Sequence, residues 1–228
     1  MPKGFLIVFS EPGSQVSLDE FQDWYNNEHV PLRLNYLPDF ETGARYSALD
    51  GQKPGWVSLY EVTSVSIFSD PSYTRLRENR SPREVDLIKR LDLLDRRTYE
   101  AYWDSGEVES SKSCSLKVGP NSTSVVVTHG LELVGGKTVD AWIEEAQFKN
   151  VEGWLRTRVV RCVDNLKTGL TVPKSADAQK VPEWHVVHEL LAPVDNINLG
   201  SEVVEMRTWK LYRAYPSIAQ GNVPPADK

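Results

Sequence analysis

The chain has 228 residues, 40% of them hydrophobic and 25% charged, which is enough apolar material for a sizeable core. A formal charge of −6 and a pI near 5.3 supply no basic surface, which argues against a nucleic-acid or anionic-membrane partner. The first apolar run is only five residues long, too short for a signal h-region or a bilayer span. Together with two cysteines, Cys114 and Cys162, read as free thiols, this predicts a cytoplasmic protein that meets no membrane.

Residues 4–10 form an apolar, β-rich run stopped by Pro12-Gly13 and predict a first strand. Ser17, with Glu20 three residues on, has the capping-box pattern of a helix start. Leu18, Phe21, Trp24 and Tyr25 then recur at helical spacing as a stripe to be buried. Pro31 disfavours helical geometry at Val30, so the helix is expected to end or bend near His29. Gly51 to Gly55 separates two strand candidates as a hairpin turn, and Asp70-Pro71 and Ser81-Pro82 open two short helices.

The same order then repeats. Phe5-Leu-Ile-Val-Phe9 parallels Ser124-Val-Val-Val-Thr128, and Leu18-Asp-Glu-Phe21 parallels Val139-Asp-Ala-Trp142. Trp56-Val-Ser-Leu-Tyr-Glu-Val62 parallels Trp184-His-Val-Val-His-Glu-Leu190, and Arg97-Thr-Tyr-Glu-Ala-Tyr102 parallels Arg207-Thr-Trp-Lys-Leu-Tyr212. Residues 38–46 and 152–160 match more loosely. Shared order makes duplication the better reading. The expected fold is α+β: two tandem ferredoxin-like βαββαβ repeats, 1–104 and a degenerate 122–215, packed sheet to sheet as a single-chain barrel. A polar linker, 105–121, joins them, and 216–228 is a flexible tail. In the second half a helix over Asp140 to Asn150, a weaker one over about Pro193 to Val203 and a long loop over Asn165 to Pro182 are expected. Sheet-to-sheet packing is expected to enclose a ligand space.

The stretch Phe21-Gln-Asp-Trp-Tyr-Asn-Asn-Glu-His-Val-Pro-Leu-Arg33 resembles the helix of the EthD-like branch of the dimeric α/β-barrel superfamily. The resemblance spans residues 4–104 and rests on the aromatic pair, the acid-His step, the following Pro and the nearby Arg. It implies cofactor-free cyclases, isomerases, decarboxylases or monooxygenases, often acting on polyketide or aromatic intermediates. Two sheets come from two chains in many members; here the second repeat takes that role, and a homodimer remains open. The second-half helix has no His, Pro or matching Arg, so one site per chain is expected.

His29 is one of four histidines and can move a proton near neutral pH. The alternative is a structural histidine favoured by a helix C-terminus. Arg33 offers forked donors to a carboxylate or enolate oxygen, or a plain salt bridge. Glu28 is expected on the surface. Tyr60 is the candidate phenol beside His29 and Arg33; Trp24, Tyr25, Tyr46 and His188 are candidate substrate contacts, though core is the favoured reading of Trp24 and Tyr25 because the helical stripe needs them. His185 and His188 face opposite sides of one strand, and the repeat sets His188 opposite Tyr60, so both are expected to face the space between sheets. His129 is read as incidental. No metal-ligand spacing, phosphate loop or GxSxG elbow occurs, so no cofactor or metal is expected. The expected function is a cofactor-independent cyclisation, isomerisation or decarboxylation of a small hydrophobic oxygenated metabolite, with His29 as acid or base. A pericyclase, a non-catalytic carrier of an apolar metabolite, and a haem protein with His29 or His188 as axial ligand are the alternatives.

Overall fold

Phe5-Leu-Ile-Val-Phe9 is apolar at every position, the pattern of a strand covered on both faces. In the computed structural model, which describes residues 2–106, 116–119, 122–146, 148–194, 197 and 199–222, this run lies in β1 (Gly4–Glu11) and is buried on both sides. Phe5, Ile7 and Phe9 join one core, and Leu6 and Val8 join another, as the two-residue period of a strand requires.

Seven further strands complete the sheet: β2 (Gly43–Ala48), β3 (Trp56–Val62), β4 (Leu93–Asp104), β5 (Val125–Leu131), β6 (Trp154–Thr168), β7 (Trp184–Leu190) and β8 (Val203–Tyr215). They close into an antiparallel barrel in the order β1-β3-β2-β8-β5-β7-β6-β4. The first four strands run β4-β1-β3-β2 and the last four β8-β5-β7-β6, the same order, joined at the β2–β8 and β4–β6 seams. Closure leaves none of these eight strands at an open sheet edge.

An eight-stranded barrel is just wide enough for its interior to be filled by side chains. Phe5, Ile7, Phe9, Tyr46, Val57, Leu59, Tyr99, Val187 and Trp209 fill it here, so the space expected between two sheets is packed core. Leu116, from the stretch between the halves, is fully buried in the same cluster. At the end of the barrel where β3 finishes, Arg158 lies 2.8 Å from Glu61 and 2.5 Å from Glu189. Glu61 and Glu189 hold equivalent places in the two matching strands, and Glu189 is wholly buried. Burial works to raise the Glu61 pKa, but Arg158, Arg156 and the Thr42 hydroxyl outweigh it and hold it below the ordinary value.

Helices cover the outer face of the barrel. Ser17 caps α1 (Leu18–Trp24) by accepting the Glu20 N–H at 3.1 Å. A π-helical turn, Tyr25–His29, follows, with the Val30 N–H reaching back to the Tyr25 carbonyl, and then α2 (Pro31–Leu34). Pro31 has no N–H for the regular ladder, and the helix widens just before it. Asp70 caps α3 (Pro71–Glu78) and Ser81 caps α4 (Pro82–Arg90), each with Pro in the first turn as expected.

In the second half α5 (Val139–Glu145) is shorter than the expected Asp140 to Asn150 and is followed by a 3-10 turn, Phe148–Asn150. Between Pro193 and Glu202 the described residues form no helix; Asp195, Asn196 and Asn198 lie outside them. Gly200, with φ of 101°, interrupts helical backbone there, and Val203 already belongs to β8. Asn165 to Thr168, expected in a loop, extend β6, because the twelve-residue β4 offers Arg97 to Leu94 as pairing partners. Beyond β8, Ser217 is buried and donates to the Glu41 carbonyl at 3.0 Å; residues 223–228 lie outside the described residues. Among the described residues no helix is long and apolar enough to cross a membrane.

Candidate active site

His29 ends the π-helical turn, and its ring packs against Trp24 and Tyr25 at centroid distances of 4.6 and 5.2 Å. Its Nδ1 lies 3.0 Å from the Glu84 carboxylate on the first turn of α4. Burial acts to raise the Glu84 pKa, but the hydrogen bond and charge of His29, with Arg33 and Arg80 nearby, hold it below its ordinary value. An ionised carboxylate only accepts, so Nδ1 carries the proton and Nε2 keeps its lone pair. Burial, and then the Arg33 charge, lower the His29 pKa to about 4 against the opposing pull of Glu84. His29 is therefore a neutral imidazole at neutral pH, oriented by a carboxylate and with a basic nitrogen available.

A reaction that needs the free Nε2 is expected to keep kcat/KM level from neutral pH down to about 5 and to halve it near pH 4, as the imidazole protonates. A rate profile over pH 3.5–8 measures this; a half-fall near the ordinary histidine value would contradict it.

Two arginines stand beside this pair without carboxylate partners. Arg33, buried on α2, donates from Nη1 to the His29 carbonyl at 2.5 Å and lies over the Tyr73 ring at 5.9 Å. Arg45, on β2, is fully buried: Nη1 donates to Gln22 Oε1 at 2.6 Å, and the guanidinium lies 3.9 Å over Tyr25 with Phe21, Trp56 and Tyr212 close by. Among the described residues, no Asp or Glu comes within ion-pair distance of either. Arg45 Nε and Nη2 and the hydroxyls of Tyr25, Tyr60, Ser58 and Ser10 are buried without a hydrogen-bond partner. Burial raises the Tyr60 pKa, opposed by the charges of Arg33 and Arg45, so the phenol stays a neutral donor. The second half also contributes: Tyr215 donates to Asn26 Oδ1 at 2.5 Å, and Asn26 donates to the Tyr212 hydroxyl at 3.1 Å.

The structure thus brings His29, Arg33, Trp24, Tyr25 and Tyr60 together between the barrel's outer face and its helices, and it places Tyr46 and His188 elsewhere. Tyr46 points into the barrel and donates to the Thr123 carbonyl at 3.1 Å. Tyr60 and His188 do hold equivalent places, but both face outward, each beneath the helices of its own half, and not a space between sheets. The inward face of their strands belongs to Val57 and Leu59 and to His185 and Val187.

His188 also corrects the reading of His129 as incidental. His129 Nδ1 meets the Gly130 carbonyl at 3.0 Å, His129 Nε2 meets His188 Nε2 at 3.0 Å, and His188 Nδ1 meets Thr157 Oγ1 at 2.7 Å. Trp154 donates to Thr157 Oγ1 at 2.8 Å. The Gly130 carbonyl places a proton on His129 Nδ1; with both imidazoles neutral, His188 Nε2 donates to His129 Nε2 and the Thr157 hydroxyl donates to His188 Nδ1. Burial lowers both pKa values, that of His129 to about 4. Both His188 nitrogens are engaged, which leaves none for an axial bond to haem iron. Glu28, expected on the surface, accepts from Ser81, the residue that caps the helix carrying Glu84.

Sequence reading missed Glu84 and Arg45. Glu84 was visible only as the third residue after the Ser81 cap, and Arg45 only as one basic residue in a strand.

No family model matches the chain, and no curated protein sequence does. Among solved structures it resembles an anthrone oxidase-like protein, with a TM-score of 0.55 and 10% identity over 100% of this chain and 97% of that one. It also resembles a "putative monooxygenase" from Lactobacillus acidophilus NCFM, with a TM-score of 0.50 and 7% identity over 95% and 97% of the two chains. At such identities the likeness is one of fold, and it places this chain among α+β proteins built on an eight-stranded antiparallel closed barrel.

Proposed function

We propose that this chain is a cofactor-independent acid–base enzyme that forms and redirects an enolate on a small, hydrophobic, oxygenated metabolite. The observation that carries the reading is the His29–Glu84 pair set beside buried Arg33 and Arg45, neither of which, among the described residues, has a carboxylate within ion-pair distance. His29 Nε2 takes a proton from carbon next to a carbonyl, and the electron pair moves onto the carbonyl oxygen. Arg45, Arg33 and the Tyr60 hydroxyl stabilise that oxygen in a place from which water is excluded. Return of the proton elsewhere gives isomerisation, attack on a second carbonyl gives ring closure, and loss of carbon dioxide from a β-keto acid enters the same enolate.

The name of the anthrone oxidase-like neighbour adds one further fate, oxidation of the same carbanion by dioxygen. The halves are read as two diverged ferredoxin-like repeats, supported by their common strand order. The first, with its EthD-like helix, keeps the site; in the second the histidine chain of His129 and His188 occupies the corresponding place.

Wild type and His29→Ala are to be incubated without added cofactor with extracts containing aromatic and polyketide metabolites, and the products compared by mass spectrometry. A species converted only by wild type supports the proposal, and its mass change gives the reaction class. Equal conversion by both would move the reading to a pericyclase, and bound but unchanged metabolites to a carrier. A Soret band in the purified protein would replace it with a haem protein.

A further inference from the structure

A cavity of about 250 Å3 opens at the end of the barrel where β1 finishes, and none of its lining residues is among those that touch His29. It is lined by Phe9 from β1, Lys53 and Pro54 from the β2–β3 turn, Leu93, Asp95 and Arg97 from β4, and Glu205 and Arg207 from β8. The volume falls just below the roughly 300–1,000 Å3 usual for small-molecule pockets, so an occupant must be small.

The charges in its wall are placed and held. Arg97 is gripped by Asp95, with Nη2 at 2.7 Å and Nε at 3.0 Å, and reaches Glu205 Oε2 from Nη1 at 2.9 Å. Two carboxylates therefore share one guanidinium, and one negative charge is in excess. Glu205 has φ of 52°, left-handed backbone that side chains rarely adopt, where the β5–β8 register shifts. Its side chain lines the cavity, and among the described residues Oε1 has no hydrogen-bond partner. On the facing wall Arg207 is fixed by Asp50 at 2.7 Å through Nε and by the carbonyls of Gln52 and Pro54 through Nη2, which leaves Nη1 without a partner among the described residues. Lys53, paired with Glu11 at 3.1 Å, adds a second cation at the rim. Phe9, Pro54 and Leu93 form the apolar part of the lining.

We propose that this barrel mouth is a second binding site, for a small zwitterion of the α-amino-acid type with an apolar side chain. The ammonium group satisfies the excess negative charge at Glu205, the carboxylate meets Arg207 Nη1 and Lys53, and the hydrocarbon rests on Phe9, Pro54 and Leu93. An acid without the amine would leave the Glu205 charge unmatched and bring its own negative charge beside it. An amine without the acid would give the free Nη1 of Arg207 no acceptor.

The test is titration calorimetry on the full chain with L-leucine, and with 4-methylpentanoate and isoamylamine as its two halves. Saturable binding of leucine, about tenfold or more tighter than either half, is the expected result. Glu205→Gln and Lys53→Met, with melting temperatures like wild type, should each weaken leucine binding about tenfold. His29→Ala should bind leucine as wild type does, which separates this site from the proposed enzyme site. Absence of saturable binding, 4-methylpentanoate binding as tightly as leucine, or loss of binding in His29→Ala with Glu205→Gln unaffected would overturn the proposal.

Discussion

Replacing His29 with alanine is expected to lower turnover of the converted metabolite by about 10²–10⁴-fold, the range in which a positioned acid or base contributes. Glu84→Gln should have a smaller effect of about tenfold, because glutamine can still accept from Nδ1 through its amide oxygen while the negative charge is lost. The two variants differ in a way that unfolding would not imitate. Glu84 raises the His29 pKa both by its hydrogen bond and by its charge, so removing the charge moves the acid limb of the rate profile below about pH 4. A less basic nitrogen then makes the proton transfer slower at neutral pH. Rate profiles of both variants, with circular dichroism as a control for fold, read this out. An unchanged acid limb in Glu84→Gln would remove Glu84 from the site, and wild-type turnover in His29→Ala would remove His29.

Arg158→Met is expected to cost about 3–5 kcal/mol of stability, the usual consequence of removing one partner from a buried ion pair. The cost arises because Glu61 and Glu189 lose their shared guanidinium at the end of the barrel, where 18% and 0% of their side chains are exposed. For a chain of this size that corresponds to a fall in melting temperature of roughly 6–20 °C. The pH dependence gives the mechanism its own signature. In the wild type Glu61 is held below its ordinary pKa, so its contribution is complete above that value and is lost as pH falls through the lowered one. Methionine removes the largest of the charges that hold it there, leaving Arg156 and Thr42, so the gap between variant and wild type is largest above about pH 5 and narrows under more acid conditions. Denaturant unfolding at pH 7 and pH 4 measures both arms. A constant gap would mean that lost packing of the arginine stem, and not its charge, sets the cost.

Local signals were legible without coordinates wherever the physics is local. The Ser17 cap, the disturbance ahead of Pro31, the hairpin across Gly51 to Gly55 and the two Pro-led helices depend on residues within a few positions of one another. The apolar run of β1 and the opposite facing of His185 and His188 follow from the two-residue period of a strand.

The site was legible only in part. The stretch around His29 marked one histidine and one arginine, but the partner that orients the imidazole lies 55 residues away on α4, and the second buried arginine lies on β2. Tyr212 and Tyr215 reach the site from the last strand, because the β2–β8 seam brings the end of the chain beside Arg45. Which face of β3 and β7 turns inward could not be read either. Both faces of those strands carry large or apolar residues, and the choice belongs to barrel closure, which turned Tyr60 and His188 outward and packed the interior with Phe9, Tyr99 and Trp209.

The sequence by itself determined the first-half elements, the repeated order of strands and the presence of one His29 segment, since each depends on short-range spacing and residue type; it misjudged the extent of α5 and β6 and expected a helix near Pro193 to Val203 that the described residues do not form. Only the tertiary structure decided that the eight strands close into a filled barrel, that Glu84 meets His29, and that Arg45 is buried with no carboxylate among the described residues within ion-pair distance. Those outcomes rest on contacts between residues far apart in the chain, where burial removes water and each unbalanced charge or unpaired donor acquires its chemical consequence.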